Sequence, residues 1–380
     1  MDLSYTPEQE AFREEVRTWL AANVPQDLPS AGTREGFEAH RAWEQELFRA
    51  GYGAIRWPVE YRGRGADPVQ QAIFEEEYFL AGGPERVSVL GKNLMGPSLM
   101  VHGSEEQKRE WLPGILSADV IWSQGFSEPE AGSDLASLRT RAVLDGDEYV
   151  VNGQKIWTSF GAFADWIFAL VRTDPDAPKH KGISFLAVDM KTPGVDPRPI
   201  TQLDGHAGFA EVFFTDVRVP ASNVVGEVNS GWGVAMTTLG FERDAPAAPA
   251  ARFQRQVRRL VEIAKKRGLD DDPVVRDRIA ALYVRAETYR LHTVRKLSRL
   301  SHGESIGAEA SMTKVLWSEL GRDAYLFGRE LLGPLGESLD ETAGDWRHGY
   351  WLSRASTIYA GTSEIQRNII AERVLGLPKG

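Results

Sequence analysis

Trp122-Ser123-Gln124-Gly125-Phe126-Ser127-Glu128-Pro129-Glu130-Ala131-Gly132-Ser133-Asp134 has neither the two-residue period of a half-buried strand nor the 3.6-residue period of an amphipathic helix. Gly125, Pro129 and Gly132 break regular structure, while Ser127, Ser133 and the free backbone N–H groups offer hydrogen-bond donors. Such a loop can wrap a polyoxygenated ligand, because turn backbone directs N–H groups at negative charge. It would serve equally as a plain surface connection between strands.

Working outward from this loop, the patterning changes on each side. Upstream, Thr6 with Pro7 and Gln9 forms a capping box that opens a helix along Phe12, Val16 and Leu20, ended by Pro25. A second helix is expected over 37–50, closed by Gly51. A third opens at Asp67-Pro68 and runs through Phe74 and Tyr78 to Gly82-Gly83, and Ser104 with Gln107 caps a fourth. Downstream, short strands are expected over 141–144, 148–151 and 154–157, with Asp145-Gly146 and Asn152-Gly153 as hairpin turns. Strand patterning continues over 166–171, 183–188 and 210–214, with Pro220 and Gly226 at the exit. The remainder is helical, with apolar stripes over 277–300, 308–327 and 350–375. The expected class is α+β: a helical N-terminal domain (1–120), a small antiparallel β domain (121–227) and a C-terminal helical bundle (228–380).

Composition narrows the chemistry. The 380 residues are enough for two or three domains, and 42% hydrophobic with 26% charged residues is the balance of a soluble globular protein. A net charge of −10 argues against nucleic acid as a partner. There is no cysteine, which excludes disulfides, thiol catalysis and thiolate metal sites. The seven histidines are scattered without a close helical pair, so no metal site is expected. Gly63-Arg64-Gly65, followed by Pro68, reads as a loop rather than a nucleotide fingerprint, and no Gly-x-Ser-x-Gly elbow occurs. No apolar run reaches membrane-spanning length, and the first residues lack the basic-then-apolar order of a signal peptide. No membrane insertion and a cytoplasmic location are the expectation.

Two further stretches, Lys155-Ile156-Trp157-Thr158-Ser159 and Tyr359-Ala360-Gly361-Thr362-Ser363-Glu364-Ile365-Gln366-Arg367, stand in order with the first. Together the three resemble the motifs of the FAD-dependent acyl-CoA dehydrogenase family, over essentially the whole chain. The resemblance implies FAD as cofactor and two helical domains about a β domain. It implies that Gln124, Gly125, Phe126 and Ser127 face the isoalloxazine and that Ser133 contacts both acyl-CoA and the cofactor's phosphate region. Trp157 would pack its indole on the ring system, with Thr158 beside it and Ser159 hydrogen-bonding near flavin N5; a core tryptophan at a strand end is the plainer alternative. Thr362, Ser363 and Glu364 would belong to the cofactor site, and Ala360 and Gly361 to the substrate site.

The sequence departs from the family pattern at the base. Many members carry Glu before Gly-Thr-Ser, where this chain has Ala360, which takes no proton. Branched-chain, long-chain and some steroid side-chain members place Glu, followed by Arg, on the first helix of the C-terminal domain. Here Phe241-Glu242-Arg243 stands at that place, so Glu242 is the expected base, Arg243 a substrate contact and Asp244 a weaker competitor. An ordinary acid near a helix N-terminus is the alternative for Glu242. The alanine-rich run after it, with Pro246 and Pro249, predicts a displaced helix start and a wide or branched acyl pocket. Elements that grip the neighbouring subunit's dinucleotide also differ: residues 265–270 lack Arg-x-x-Phe-Gly, and Glu330 and Pro334 replace the Gln and second Gly of Gln-x-x-Gly-Gly-x-Gly.

The implied activity is α,β-dehydrogenation of an acyl-CoA to the 2,3-enoyl-CoA, with electrons passed to an electron-transfer flavoprotein and the protein assembled as a homo-oligomer, tetramer or dimer. Three alternatives stay open: a subunit of a hetero-oligomeric dehydrogenase, a flavin oxidase, and a dehydrogenase of carrier-protein thioesters.

Overall fold

Thr6, Asp67 and Ser104 each accept the backbone N–H three residues on, and Gln9, Gln70 and Gln107 reach back, so all three capping boxes form. They open helices α1 (Pro7–Asn23), α3 (Pro68–Leu80) and α5 (Glu105–Ser117). Between them lie α2 (Arg34–Arg49) and α4 (Gly96–His102), the latter entered through a π-helical turn, Gly91–Met95. The strands follow: β1 (Trp122–Gly125), β2 (Arg141–Asp145), β3 (Glu148–Ser159), β4 (Trp166–Arg172), β5 (Ile183–Asp189), β6 (Val195–Ile200), β7 (Phe209–Pro220) and β8 (Val224–Val225). The chain closes with α6 (Gly231–Asp244), α7 (Ala250–Lys266), α8 (Pro273–Ser301), α9 (Ala310–Leu332), α10 (Glu341–Ser356) and α11 (Ser363–Ile369). This computed structural model describes residues 5–244, 249–304, 306–337 and 341–379, without the side chains of 242–244 and 341–345.

Packing divides the chain differently from its order. One compact unit comprises Pro25–Ala66 and Pro84–Glu242; the other comprises Met1–Val24, Asp67–Gly83 and Arg243–Gly380. In the first, the sheet runs β6-β7-β3-β2-β4-β5-β8, with β1 on β4. Pairings are antiparallel except those of β1 and β2 with β4, which are parallel. Strands β4 and β5 are buried on both faces by two-residue alternation. Phe168, Leu170, Phe185 and Ala187 join a core with Leu94, Leu99, Trp111 and Trp122, while Ile167, Ala169, Val171, Leu186 and Val188 join Tyr149, Val151 and Val212. In the second unit, Phe253, Val257 and Leu260 of α7 share a core with Leu282 and Tyr289 of α8, Leu320 and Phe327 of α9, and Trp346 of α10. Arg17 grips Glu77 with both Nε and Nη2, at 3.0 and 2.9 Å, joining α1 to α3.

Two local expectations need correction. Asn152-Gly153 is not a hairpin turn: β3 runs through it as one strand. The register slips there because β7 carries an extra residue, and Asp216 takes a left-handed φ of 49° while bonding Asn152 through both side chain and backbone. The stripe over 350–375 is not one helix, because it breaks after Ser356 and restarts at Ser363 with Thr362 as its cap. Pro249 lies in extended backbone at the N-cap of α7, where its missing N–H costs nothing. Residues 245–248, on which the wide-pocket expectation rests, lie outside the described residues.

The first unit buries two carboxylates on cations. Glu44 receives Arg86 Nε at 2.7 Å and Lys92 Nζ at 2.9 Å; Lys92 stands in the π-helical turn. Burial alone would raise the pKa of Glu44, but Arg86 and Lys92 more than reverse this and hold it far below its ordinary 4.5. Glu128, raised by burial but lowered further by Lys155, is likewise depressed. Both carboxylates bind protons less readily folded than unfolded. Their stabilisation is therefore complete above pH 4.5 and disappears as pH falls through the folded values. The urea midpoint is expected to fall steeply between about pH 4.5 and about pH 3, and a midpoint flat across that range would contradict the assignment.

Candidate active site

The loop over 122–134 is fastened to β3 residue by residue. Ser123 Oγ donates to the Ser159 carbonyl at 2.8 Å, and Ile156 N–H donates to the Ser127 carbonyl at 3.0 Å. Lys155, fully buried, donates to the Phe126 carbonyl at 3.2 Å and the Glu128 carboxylate at 2.7 Å. Glu128 also accepts the Arg139 and Thr140 N–H groups at 2.6 and 3.0 Å, and pairs with Ala131 through two backbone bonds. Gly125 lets the loop lie close to β4: a Cβ there would stand 2.7 Å from Ile167 Cδ1, so the isoleucine would have to shift.

The predicted residues are distributed as follows. Gln124 and Ser127 are half-buried, and Ser133 is exposed. Phe126 turns its ring into the core, edge-on to Phe168 and Phe185, so only its backbone is left for a ligand. Trp157 is the extra residue of a bulge where Lys155 pairs Val212 and Thr158 pairs Ala210. Its φ of 59° is left-handed, a strained state for a tryptophan, and its side chain is 57% exposed beside Phe209. Thr158 is buried with no hydrogen-bond partner for Oγ1, and Ser159 is half-buried. These features fit FAD: an indole held outward at a backbone cost, a buried unpartnered hydroxyl next to it, and a loop whose Phe126 and Ser127 carbonyls are already taken. The group would be held by the 122–134 loop and by Trp157–Ser159.

In the other unit, Ala360 and Gly361 are consecutive left-handed residues, with φ of 54° and 86°. Gln366 Nε2 donates to the Ala360 carbonyl at 3.0 Å, and a Cβ at Gly361 would lie 2.4 Å from that nitrogen. Among the described residues nothing accepts from the Ala360 N–H. Thr362 Oγ1 caps α11 by accepting Ile365 N–H at 3.2 Å, Ser363 is buried with Oγ unpartnered, and Glu364 is exposed. Glu242 and Arg243 fall at the C-terminal end of α6, and their side chains, like that of Asp244, lie outside the described residues. The N-terminal-acid alternative for Glu242 therefore fails: at a helix C-terminus the backbone dipole opposes a carboxylate. Glu330 pairs with Arg278 at 2.6 Å, and Arg278 lies 4.0 Å over the Phe327 ring.

Sequence reading missed Lys155, Glu128 and Gln366. Lys155 could have been found, because it stands on the same two-residue phase of β3 as buried Tyr149 and Val151, where a lysine needs an acidic partner.

The chain matches three family models: "Acyl-CoA dehydrogenase, N-terminal domain" over 6–119, "middle domain" over 123–217 and "C-terminal domain" over 229–375. It belongs to the acyl-CoA dehydrogenase family, FAD-dependent oxidoreductases acting on acyl-CoA. It is 41% identical to acyl-CoA dehydrogenase IpdE1 of Mycolicibacterium smegmatis, with 98% of each chain covered. Among solved structures it is similar to the Tcur3481-Tcur3483 steroid ACAD, at 35% identity and a TM-score of 0.90 over 100% of both chains. It is also similar to the ChsE4-ChsE5 complex from Mycobacterium tuberculosis, at 36% identity and a TM-score of 0.86 over 100% of both chains.

Proposed function

We propose that this chain dehydrogenates an acyl-CoA thioester between Cα and Cβ, giving the 2,3-enoyl-CoA, with a bulky acyl group of the steroid side-chain kind. The observation that carries this reading is the 122–134 loop fastened along β3 beside an outward-held Trp157. Bound FAD supplies the acceptor for the hydride leaving Cβ. Glu242 takes the Cα proton, with Arg243 beside the substrate. The Ala360 N–H donates to the thioester oxygen as charge develops there, a role that survives the loss of a glutamate side chain because the donor is backbone. Trp157, Ser159 and Ser133 would hold the cofactor in the unit that carries the sheet, and Thr362, Ser363 and Glu364 keep the cofactor role that the family resemblance implies for them. The three-domain division, at 1–120, 121–227 and 228–380, a cytoplasmic location and electron transfer to an electron-transfer flavoprotein belong to the same reading. Among the described residues no helix is long and apolar enough to cross a membrane.

One observation favours assembly with a different chain over a homotetramer. Glu330, at the position that grips the neighbour's dinucleotide in the family, is engaged with Arg278 of its own chain. Two of the similar structures are named for a pair of chains, Tcur3481-Tcur3483 and ChsE4-ChsE5. The expected result on purification is a yellow protein with FAD bound, either alone or after mixing with a second acyl-CoA dehydrogenase chain. Turnover should proceed with an electron-transfer flavoprotein and without oxygen uptake. A colourless preparation that FAD reconstitutes in neither form would refute the cofactor assignment, and stoichiometric oxygen consumption would make it an oxidase.

A further inference from the structure

Three successive acceptors of the loop are taken by two residues of β3: the Phe126 carbonyl and Glu128 carboxylate by Lys155, and the Ser127 carbonyl by the Ile156 N–H. The peptide joining Phe126 to Ser127 is planar and trans, so aiming its carbonyl at Lys155 turns the Ser127 N–H to the opposite side. Among the described residues nothing accepts from that N–H. Lys155 is 0% exposed and Glu128 8%, so the pair is held inside the protein, where water does not compete with its geometry. The Glu128 carboxylate carries the restraint onward to the backbone of Arg139 and Thr140.

We propose that Lys155 is a positioning residue for the flavin, aiming the Ser127 N–H at a ring acceptor by fixing the peptide before it. This rests on the flavin reading above. When the ring is reduced its acceptors gain negative charge, and a correctly aimed N–H stabilises that form more than the oxidised one. Lys155 thereby sets the flavin potential without touching the flavin.

The test uses the full chain, with its partner chain if FAD retention needs one. Lys155→Met is combined with Glu128→Gln so that no buried charge is left unpaired; Lys155→Gln, which keeps N–H donors, is the second variant. In the apo chains, amide exchange at Arg139, Thr140 and Ile156 is expected to quicken. In the loaded chains, FAD binding is expected to weaken up to about tenfold, the size of one lost neutral hydrogen bond, and the midpoint potential to become more negative. Lys155→Gln should move all three in the same direction by less. Variants that fold with unchanged exchange, affinity and potential overturn the proposal. A wild-type chain that binds no FAD refutes the flavin reading instead, and the apo exchange still decides whether Lys155 holds the loop.

Discussion

Glu242→Gln is expected to lower kcat by about 10²–10⁴-fold with FAD still bound, the usual cost of removing a general base. Glutamine keeps the shape of the side chain and cannot accept the Cα proton. Ala360 has no acid to share the task. The measurement is turnover normalised to flavin content, with Asp244→Asn in parallel. Near-normal turnover of flavin-loaded Glu242→Gln removes Glu242 from the mechanism, and a large loss confined to Asp244→Asn transfers the role there.

Glu44→Ala is expected to destabilise the fold by about 3–5 kcal/mol, because it leaves Lys92 and Arg86 without their counter-charge. Lys92 is 2% exposed, and burial already lowers its pKa in the presence of Glu44. The loss should spread to the neighbouring backbone, since Glu44 also accepts the Ser88 N–H at 3.4 Å and the Lys92 carbonyl accepts the Trp57 indole at 2.8 Å. The whole loss is a sizeable fraction of the stability of an ordinary domain. Urea unfolding at neutral pH measures it, and a shift under about 1 kcal/mol would show that the triad is stabilised mainly by something other than its charges.

Legibility in the sequence followed the range of the interaction responsible. Helix starts were readable because a capping box is complete within four residues, as at Thr6–Gln9 and Ser104–Gln107. The Asn152-Gly153 dipeptide misled because its turn signal is local, whereas its actual role, opposing the left-handed Asp216, depends on a strand over sixty residues away. The parallel seat of β1 on β4 and the strand β6 were likewise set by pairing that no short window contains. The motifs located the loop and Trp157, but not the inward turn of Phe126 or the bulge that exposes the indole. Both depend on contacts with β4, β5 and β7.

The central claim is that this chain passes a hydride from an acyl-CoA to its own flavin. Anaerobic addition of a panel of straight-chain, branched and ring-bearing acyl-CoAs to the flavin-loaded protein, followed at the visible absorbance of the oxidised flavin, tests it most directly. Rapid bleaching by a bulky, ring-bearing or branched acyl-CoA, abolished in Glu242→Gln, is the predicted result. A flavin that no acyl-CoA bleaches, in a chain saturated with FAD and joined to its partner, would contradict it.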